Sequence, residues 1–229
     1  MEKTLNFKPI VNIIIFAVLF FILTVCYELI SKDGNNSIKK DLTSVTRDKW
    51  EYIKLKDKED NHDFIVITDY YGDETEELRI PGRIQGAPVQ IINGVLLTSH
   101  QRLSRLIIPS EVRELCGYVF SEPEIDEVVF EPGSQLKIID GRWGFAVRKL
   151  KTLELPDSLE YIGDETFGGS FNLEEIYIGP NVKEIGENAF ADTKISNIII
   201  NPENQWFEFK DGCLIRKQDG KILYTKPEE

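Results

Sequence analysis

Residues that carry chemistry are scarce in this chain. It holds three cysteines and two histidines in 229 residues. Three cysteines cannot build the disulfide framework that staples small secreted folds. His62 and His100 both fall in segments that read as loops, and a zinc site needs more ligands at tighter spacing. His62 lies among Asp57, Glu59, Asp60 and Asp63, but the spacing and glycine of a calcium-binding EF-hand loop are missing, so a solvated hairpin loop is expected there. There is no Gly-x-Ser-x-Gly elbow, no phosphate-binding glycine loop and no His-Glu-x-x-His. The carboxylate pairs Glu76-Glu77 and Glu174-Glu175 sit where solvated charge is expected. No catalytic residue, metal or cofactor is therefore expected, and an enzyme is not.

Positive charge is also short. The chain carries 27 Lys and Arg against 39 Asp and Glu, a net charge of −12. Residues 50–229 alone hold 20 Lys and Arg against 34 Asp and Glu, a balance of −14. Such acidity excludes nucleic-acid binding and adsorption to anionic lipid. Its ordinary role is to keep an extended surface soluble, the alternative being attraction of basic partners.

What the chain has in abundance is repetition. Leu78-Arg79-Ile80, Leu103-x-x-Leu106-Ile107-Ile108, Ile125-x-x-Val128-Val129-Phe130, Leu150-x-x-Leu153-Glu154-Leu155, Leu173-x-x-Ile176-Tyr177-Ile178 and Ile195-x-x-Ile198-Ile199-Ile200 recur down the sequence. Pro81, Pro109, Pro132, Pro156, Pro180 and Pro202 follow them within two residues. The last apolar positions are 28, 22, 25, 23 and 22 residues apart. A period in the low twenties marks a solenoid, in which each unit buries its face against its neighbours.

Two further series share that period. The pairs Val89-x-x-Ile92, Val112-x-x-Leu115, Leu136-x-x-Ile139, Leu159-x-x-Ile162 and Val182-x-x-Ile185 follow the prolines, and Leu97, Phe120, Phe145, Phe167 and Phe190 close the units. The segment Leu159 to Phe167 reappears with the same spacing as Val182 to Phe190. Over roughly residues 50 to 229 this combined pattern resembles the BspA-like family of leucine-rich repeats. Leu96-Leu97 stands where that family usually has Ala-Phe, and Trp143-Gly144-Phe145 carries one extra residue. The resemblance implies a microbial cell-surface protein.

Elementary geometry predicts the same fold. Alternation sends Leu106 and Ile108 to one side and Ile107 to the other, as a strand requires. Proline after the run withholds a donor and ends the strand. Gly163 to Phe167 reads as one tight helical turn that drops Phe167 into the core. The expected fold is thus mainly β: a leucine-rich-repeat solenoid of parallel strands and short helical turns, capped by hairpins and preceded by one transmembrane helix. Residues 50–76 read as an N-terminal capping hairpin, 77–202 as the repeats and 203–229 as C-terminal capping hairpins. Asp211-Gly212 and Asp219-Gly220 mark the turns of the last. Cys116 and Cys213 lie about four repeats apart, near 19 Å at roughly 4.7–4.9 Å per stacked strand, too far for a disulfide. Cys116 occupies the slot of Gly163 and Gly186 in other units.

The start of the chain is of another kind. After a short tail over residues 1–8, no charge occurs from Pro9 to Tyr27. That run would span about 28 Å as a helix, near the thickness of a bilayer core. Residues 9–30 are expected to anchor the chain in a membrane; a cleaved signal and a lipoprotein site at Cys26 are the competing readings. Flanking lysines do not decide orientation; the family resemblance puts the repeats outside the cell. Residues 31–49 read as a polar tether.

The candidate contact surface follows from strand alternation. One solvent-facing row reads Arg79, Ile107, Val129, Glu154, Tyr177 and Ile199, and its neighbour reads Arg105, Glu127, Thr152, Glu175 and Asn197. Apolar and aromatic residues on an open sheet mark a partner-binding stripe; the alternative is that they form stabilising ladders between strands. The expected function is a membrane-tethered, non-catalytic binding or adhesion module for a protein or surface glycan. A structural envelope subunit or self-associating spacer is the alternative, and the oligomeric state stays open.

Overall fold

The computed structural model describes residues 45–47, 49–57, 60–72 and 75–228. The expected tail over residues 1–8, anchor over 9–30 and most of the tether lie outside the described residues. Among the described residues no helix is long and apolar enough to cross a membrane.

Six strands carry the first apolar motif: β4 (Glu77–Arg79), β8 (Arg102–Ile108), β11 (Glu124–Phe130), β14 (Thr152–Glu154), β16 (Glu175–Ile178) and β18 (Asn197–Ile200). They pair in parallel as two three-stranded sheets, with β8 central in the first and β16 in the second. The register is that of the repeat: Leu106 meets Leu78 on one side and Val128 on the other, and Ile176 meets Leu153 and Ile198. Each of these residues is buried.

The second motif builds a longer sheet. β6 (Ala87–Val95), β9 (Glu114–Cys116), β12 (Ile138–Asp140), β15 (Tyr161–Ile162) and β17 (Glu184–Ile185) stack in parallel. A ladder of backbone bonds ties coil to coil: Arg113 N–H to Gln90 C=O at 2.7 Å, Lys137 to Arg113 at 2.8 Å, and Glu160 to Lys137 and Lys183 to Glu160 at 2.9 Å each. Parallel strands with both faces used in this way need no hairpins, only the intervening turns.

The third motif fills the interior. Phe120 and Phe145 lie on β10 (Phe120–Ser121) and β13 (Phe145–Ala146); β10 pairs in parallel with β13 on one side and β7 (Leu97–Thr98) on the other. Their rings continue into those of Phe167 and Phe190 with centroid spacings of 4.9, 5.3 and 5.5 Å. All four side chains are fully buried.

The expected helical turn at residues 163–167 is corrected here: no helix occurs among the described residues. Glu165 and Asn188 adopt positive φ of 52° and 54°, which breaks right-handed helix at the same point of successive coils. The N–H groups of Glu165 and Phe167 point along the stack instead, to Glu187 C=O at 3.0 Å and Ala189 C=O at 2.8 Å. Inter-coil bonding therefore wins over the local i→i−4 pattern.

Both ends of the stack are covered by antiparallel structure. In front, β2 (Trp50–Lys56) and β3 (Asp63–Tyr70) form a hairpin, and β3 joins β6 in parallel. β1 (Val45–Arg47) pairs with β2, so strand pairing among the described residues reaches into the segment read as tether. At the back, β19 (Phe207–Lys210), β20 (Cys213–Arg216) and β21 (Lys221–Thr225) form a meander. Asp211 and Gly212 both take positive φ, 52° and 77°, as a tight two-residue hairpin turn requires. Tyr224 of β21 sets its ring 5.9 Å from Phe190 and donates its hydroxyl to Ile195 C=O at 2.9 Å. The cap thus supplies the last rung of the aromatic column.

Candidate functional site

The two solvent-facing rows occur as strand alternation predicts. Arg79, Ile107 and Val129 are register partners, as are Glu154, Tyr177 and Ile199. In the second row Glu77, Arg105 and Glu127 align, as do Thr152, Glu175 and Asn197.

Their accessibility differs from expectation. Ile107 is only 5% exposed, so it cannot serve as a free contact residue. Arg79 reaches past the strand that bears Ile107 to pair with Glu131 beyond β11. Strand alternation alone does not reveal such pairing, which joins residues 52 positions apart. Val129 is half-buried, while Ile199 is 43% exposed. The Tyr177 hydroxyl donates to Asp157 Oδ1 at 2.8 Å and accepts from Asn201 Nδ2 at 2.8 Å, which fixes the ring across three coils.

Charges on these rows satisfy each other. Arg105 Nε donates to Glu127 at 2.7 Å and its Nη1 lies 3.8 Å from Glu77. Asn197 donates to Glu175 at 2.7 Å. Elsewhere Glu160 sits between Lys137 at 2.7 Å and Lys183 at 2.8 Å, which holds its carboxyl below the usual range. Such exposed pairs contribute little each, about 0–1 kcal/mol, but they fix register between coils. Thr152 and Glu154 remain exposed on the second sheet. The site residues thus separate into a covered part, around Ile107, and an open part comprising Thr152, Glu154, Tyr177 and Ile199.

Sequence reasoning overlooked the outer face of the long sheet. There Ile91, Glu114, Ile138, Tyr161 and Glu184 form one register row, and Asn93, Cys116 and Asp140 form another. The signal was available: these residues flank each buried Ile or Leu of the second motif. Glu114 lies between Ile91 and Ile138, and burial pushes its carboxyl up to about 7 although Arg113 opposes this. Burial likewise pushes the Cys116 thiol and the Asp140 carboxyl up. Cys116 and Cys213 are both free thiols.

The Glu114 shift has a consequence for stability. Its folded pKa exceeds the unfolded value near 4.3, so the folded state binds the extra proton between about pH 4 and 7. Stability from this group is present below that window and is lost as pH rises through it. Glu114→Gln is expected to stabilise the protein by roughly 1–3 kcal/mol at pH 8 and hardly at all at pH 4.5. Urea unfolding of both proteins at the two pH values checks this; equal effects at both would refute the assignment.

On the front hairpin, Asp57, Asp60 and His62 bring one ligand atom each within 4.8 Å of one another. His62 Nδ1 already pairs with Asp60, and its Nε2 meets Gln90 Nε2 at 3.1 Å. Asp63 is taken by Lys54 at 2.7 Å and Lys56 at 3.1 Å. These three residues are the described group that could hold a cation.

The pattern described as the BspA type leucine rich repeat region matches residues 89–213 in six copies. The crystal structure of the pneumococcal vaccine antigen PcpA superposes with a TM-score of 0.60 at 21% identity, covering 80% of this chain and 56% of that one. The chain therefore spans little more than half the length of that protein, and the likeness concerns fold alone. A leucine rich cell surface protein from Faecalibacterium prausnitzii is 17% identical, with 79% and 60% coverage and a TM-score of 0.39. The T. pallidum leucine rich repeat protein is 20% identical, with 69% and 82% coverage and a TM-score of 0.44. No curated protein matches the chain at a significant level. With its repeat pattern matched over more than half its length and its coils stacked as that pattern requires, the chain belongs to the BspA-type leucine-rich repeat family.

Proposed function

We propose that this protein is a non-catalytic recognition module at a microbial surface, held to the membrane by residues 9–30 and making contact through the sheet of β14, β16 and β18. The observation that carries this reading is the in-register row Glu154, Tyr177 and Ile199, which joins a fixed aromatic ring to an exposed aliphatic side chain. Asp157 and Asn201 hold the ring in place, so a partner meets a surface already ordered. Thr152 and Glu175 flank it and offer hydrogen-bonding groups, which suits a protein or a surface glycan. Solenoids favour such a role because they present extended surfaces. Membership of the family, with a pneumococcal antigen among its structural neighbours, supports a place outside the cell.

The double substitution Tyr177→Glu and Ile199→Glu tests the face. Adhesion of the full chain to host cells and matrix is expected to fall at least tenfold while circular dichroism stays unchanged. Undiminished adhesion by a folded variant would remove this sheet as the contact surface. Protease treatment of intact cells tests the placement: the repeats are expected to be digested without lysis, and protection until lysis would reverse the orientation.

A further inference from the structure

Among the described residues the long sheet ends at β17, which has β15 as its strand partner and none beyond. Each earlier coil hands the sheet on to its successor. After Pro202 the chain instead runs through Asn204 into the cap, and no strand of the cap takes the next place in that sheet. Between β17 and the cap lies a groove of about 570 Å³, within the range of clefts that hold ligands, roughly 300–1,000 Å³. Ile185, Trp206 and Leu223 line it with apolar surface, and Tyr161 and Glu184 line it from the sheet. A strand edge of this kind offers N–H and C=O groups to an incoming segment.

The charges of the groove are unevenly matched. Its three cations are all taken: Lys183 by Glu160 at 2.8 Å, Arg216 by Asp219 at 2.6 Å and Lys221 by Glu187 at 2.6 Å. Asp164 and Glu184 form no ion pair among the described residues; Asp164 accepts the Glu187 N–H at 2.7 Å. Tyr161 registers the surplus, its hydroxyl pushed up to about 12 by burial and then by Asp140, Asp164 and Glu184. A cation entering here would gain attraction to Asp164 and Glu184 without displacing a cation already paired with them.

We infer that this groove takes an extended basic polypeptide segment, which adds to β17 as one further strand and sets a Lys or Arg side chain over Tyr161 between Asp164 and Glu184. The open edge supplies backbone hydrogen bonds, Trp206 and Leu223 take apolar side chains of the segment, and the unmatched carboxylates select for positive charge. This surface is separate from the row of Tyr177 and Ile199, and its partner differs in kind.

Fluorescence anisotropy with the full chain tests the inference. The probe is a labelled hexapeptide alternating valine with lysine or arginine; one control alternates valine with glutamate, and another carries proline at its central valine, which removes a backbone donor. The basic peptide is expected to bind, with the acidic and proline peptides each at least tenfold weaker. Glu184→Lys is expected to weaken the basic peptide at least tenfold. Asp126→Lys, the same charge change at an exposed position of β11, is expected to change it less than twofold. Glu184→Gln repeats the measurement with an isosteric side chain should the lysine variant alter the circular dichroism. No binding of the basic peptide, equal losses in Glu184→Lys and Asp126→Lys, or full binding of the proline peptide would overturn it. None of these outcomes bears on the adhesion assay of the Tyr177 and Ile199 variant.

Discussion

Phe167→Ala is expected to lower the unfolding free energy by about 3–5 kcal/mol. The ring is fully buried and stands in the aromatic column, tilted against Phe145 at 5.3 Å and stacked on Phe190 at 5.5 Å. Removing it forfeits the burial of the ring and leaves a void bounded by two coils that their own hydrogen bonds hold apart. The backbone N–H of Phe167 is bonded to Ala189 C=O at 2.8 Å, so the coil cannot easily collapse into the gap. Phe167→Leu should fall between alanine and wild type. Phe171 gives the control: it is 44% exposed, and Phe171→Ala should stay within roughly 0.5 kcal/mol of wild type. In a solenoid each coil is stabilised by its neighbours, so a gap in mid-stack also weakens coupling between the two halves. Denaturant unfolding followed at Trp50, in the front hairpin, and at Trp206, beside the rear cap, is expected to give coincident transitions in wild type and separated ones in Phe167→Ala. A loss below about 1 kcal/mol would be inconsistent with a close-packed column.

Asn204→Ala is expected to be comparably severe, on the order of 3–5 kcal/mol by the cost of stranding several buried polar groups. Asn204 is 2% exposed and uses its whole side chain. Its Nδ2 donates to Gly179 C=O at 2.8 Å and Val182 C=O at 3.1 Å, and its Oδ1 accepts the N–H groups of Trp206 and Phe207 at 2.9 Å each. It therefore welds the last coil to the first strand of the cap. Alanine leaves two carbonyls and two N–H groups without these partners in a site closed to water. Asn204→Asp keeps both accepting roles but turns a carboxylate toward the Gly179 and Val182 carbonyls, so at neutral pH it should rescue little. Thermal unfolding of the three proteins at pH 5 and pH 8 checks this order, the aspartate variant regaining stability at the lower pH as its carboxyl takes up a proton. Full stability of Asn204→Ala would show that the cap is held by other contacts.

Most of the coil was legible in the sequence because burial along it is periodic. Leu106, Ile108, Phe167 and Phe190 occupy interior slots set by three apolar series at one period, and the Asp211-Gly212 pair announced the rear hairpin. What escaped was set by contacts between coils. Ile107 reads as solvent-facing by strand alternation, yet it is buried on the central strand, between Arg79 and Val129 in register. Gly163 to Phe167 reads as a helical turn by composition, yet the N–H groups of Glu165 and Phe167 bond to the following coil and Glu165 takes a positive φ. The second apolar pair of each unit reads only as core, although it builds the longest sheet and sets Glu114, Tyr161 and Glu184 in one row on its outer face. Of the contact rows, the register was legible and the accessibility was not, because pairing between coils, such as that of Arg79 with Glu131, is not written in a strand pattern.

The account stands on coils that stack in register, with residue 175 beside residue 197. Introducing cysteines at Glu175 and Asn197, whose strands run side by side at roughly 4.8 Å, tests that directly. Mild oxidation followed by peptide mass spectrometry is expected to find an intramolecular bridge between these two positions, and none when the second cysteine is placed at Glu208 instead. Failure of the 175–197 pair to close, or equal closure of the 175–208 pair, would contradict the stacked solenoid.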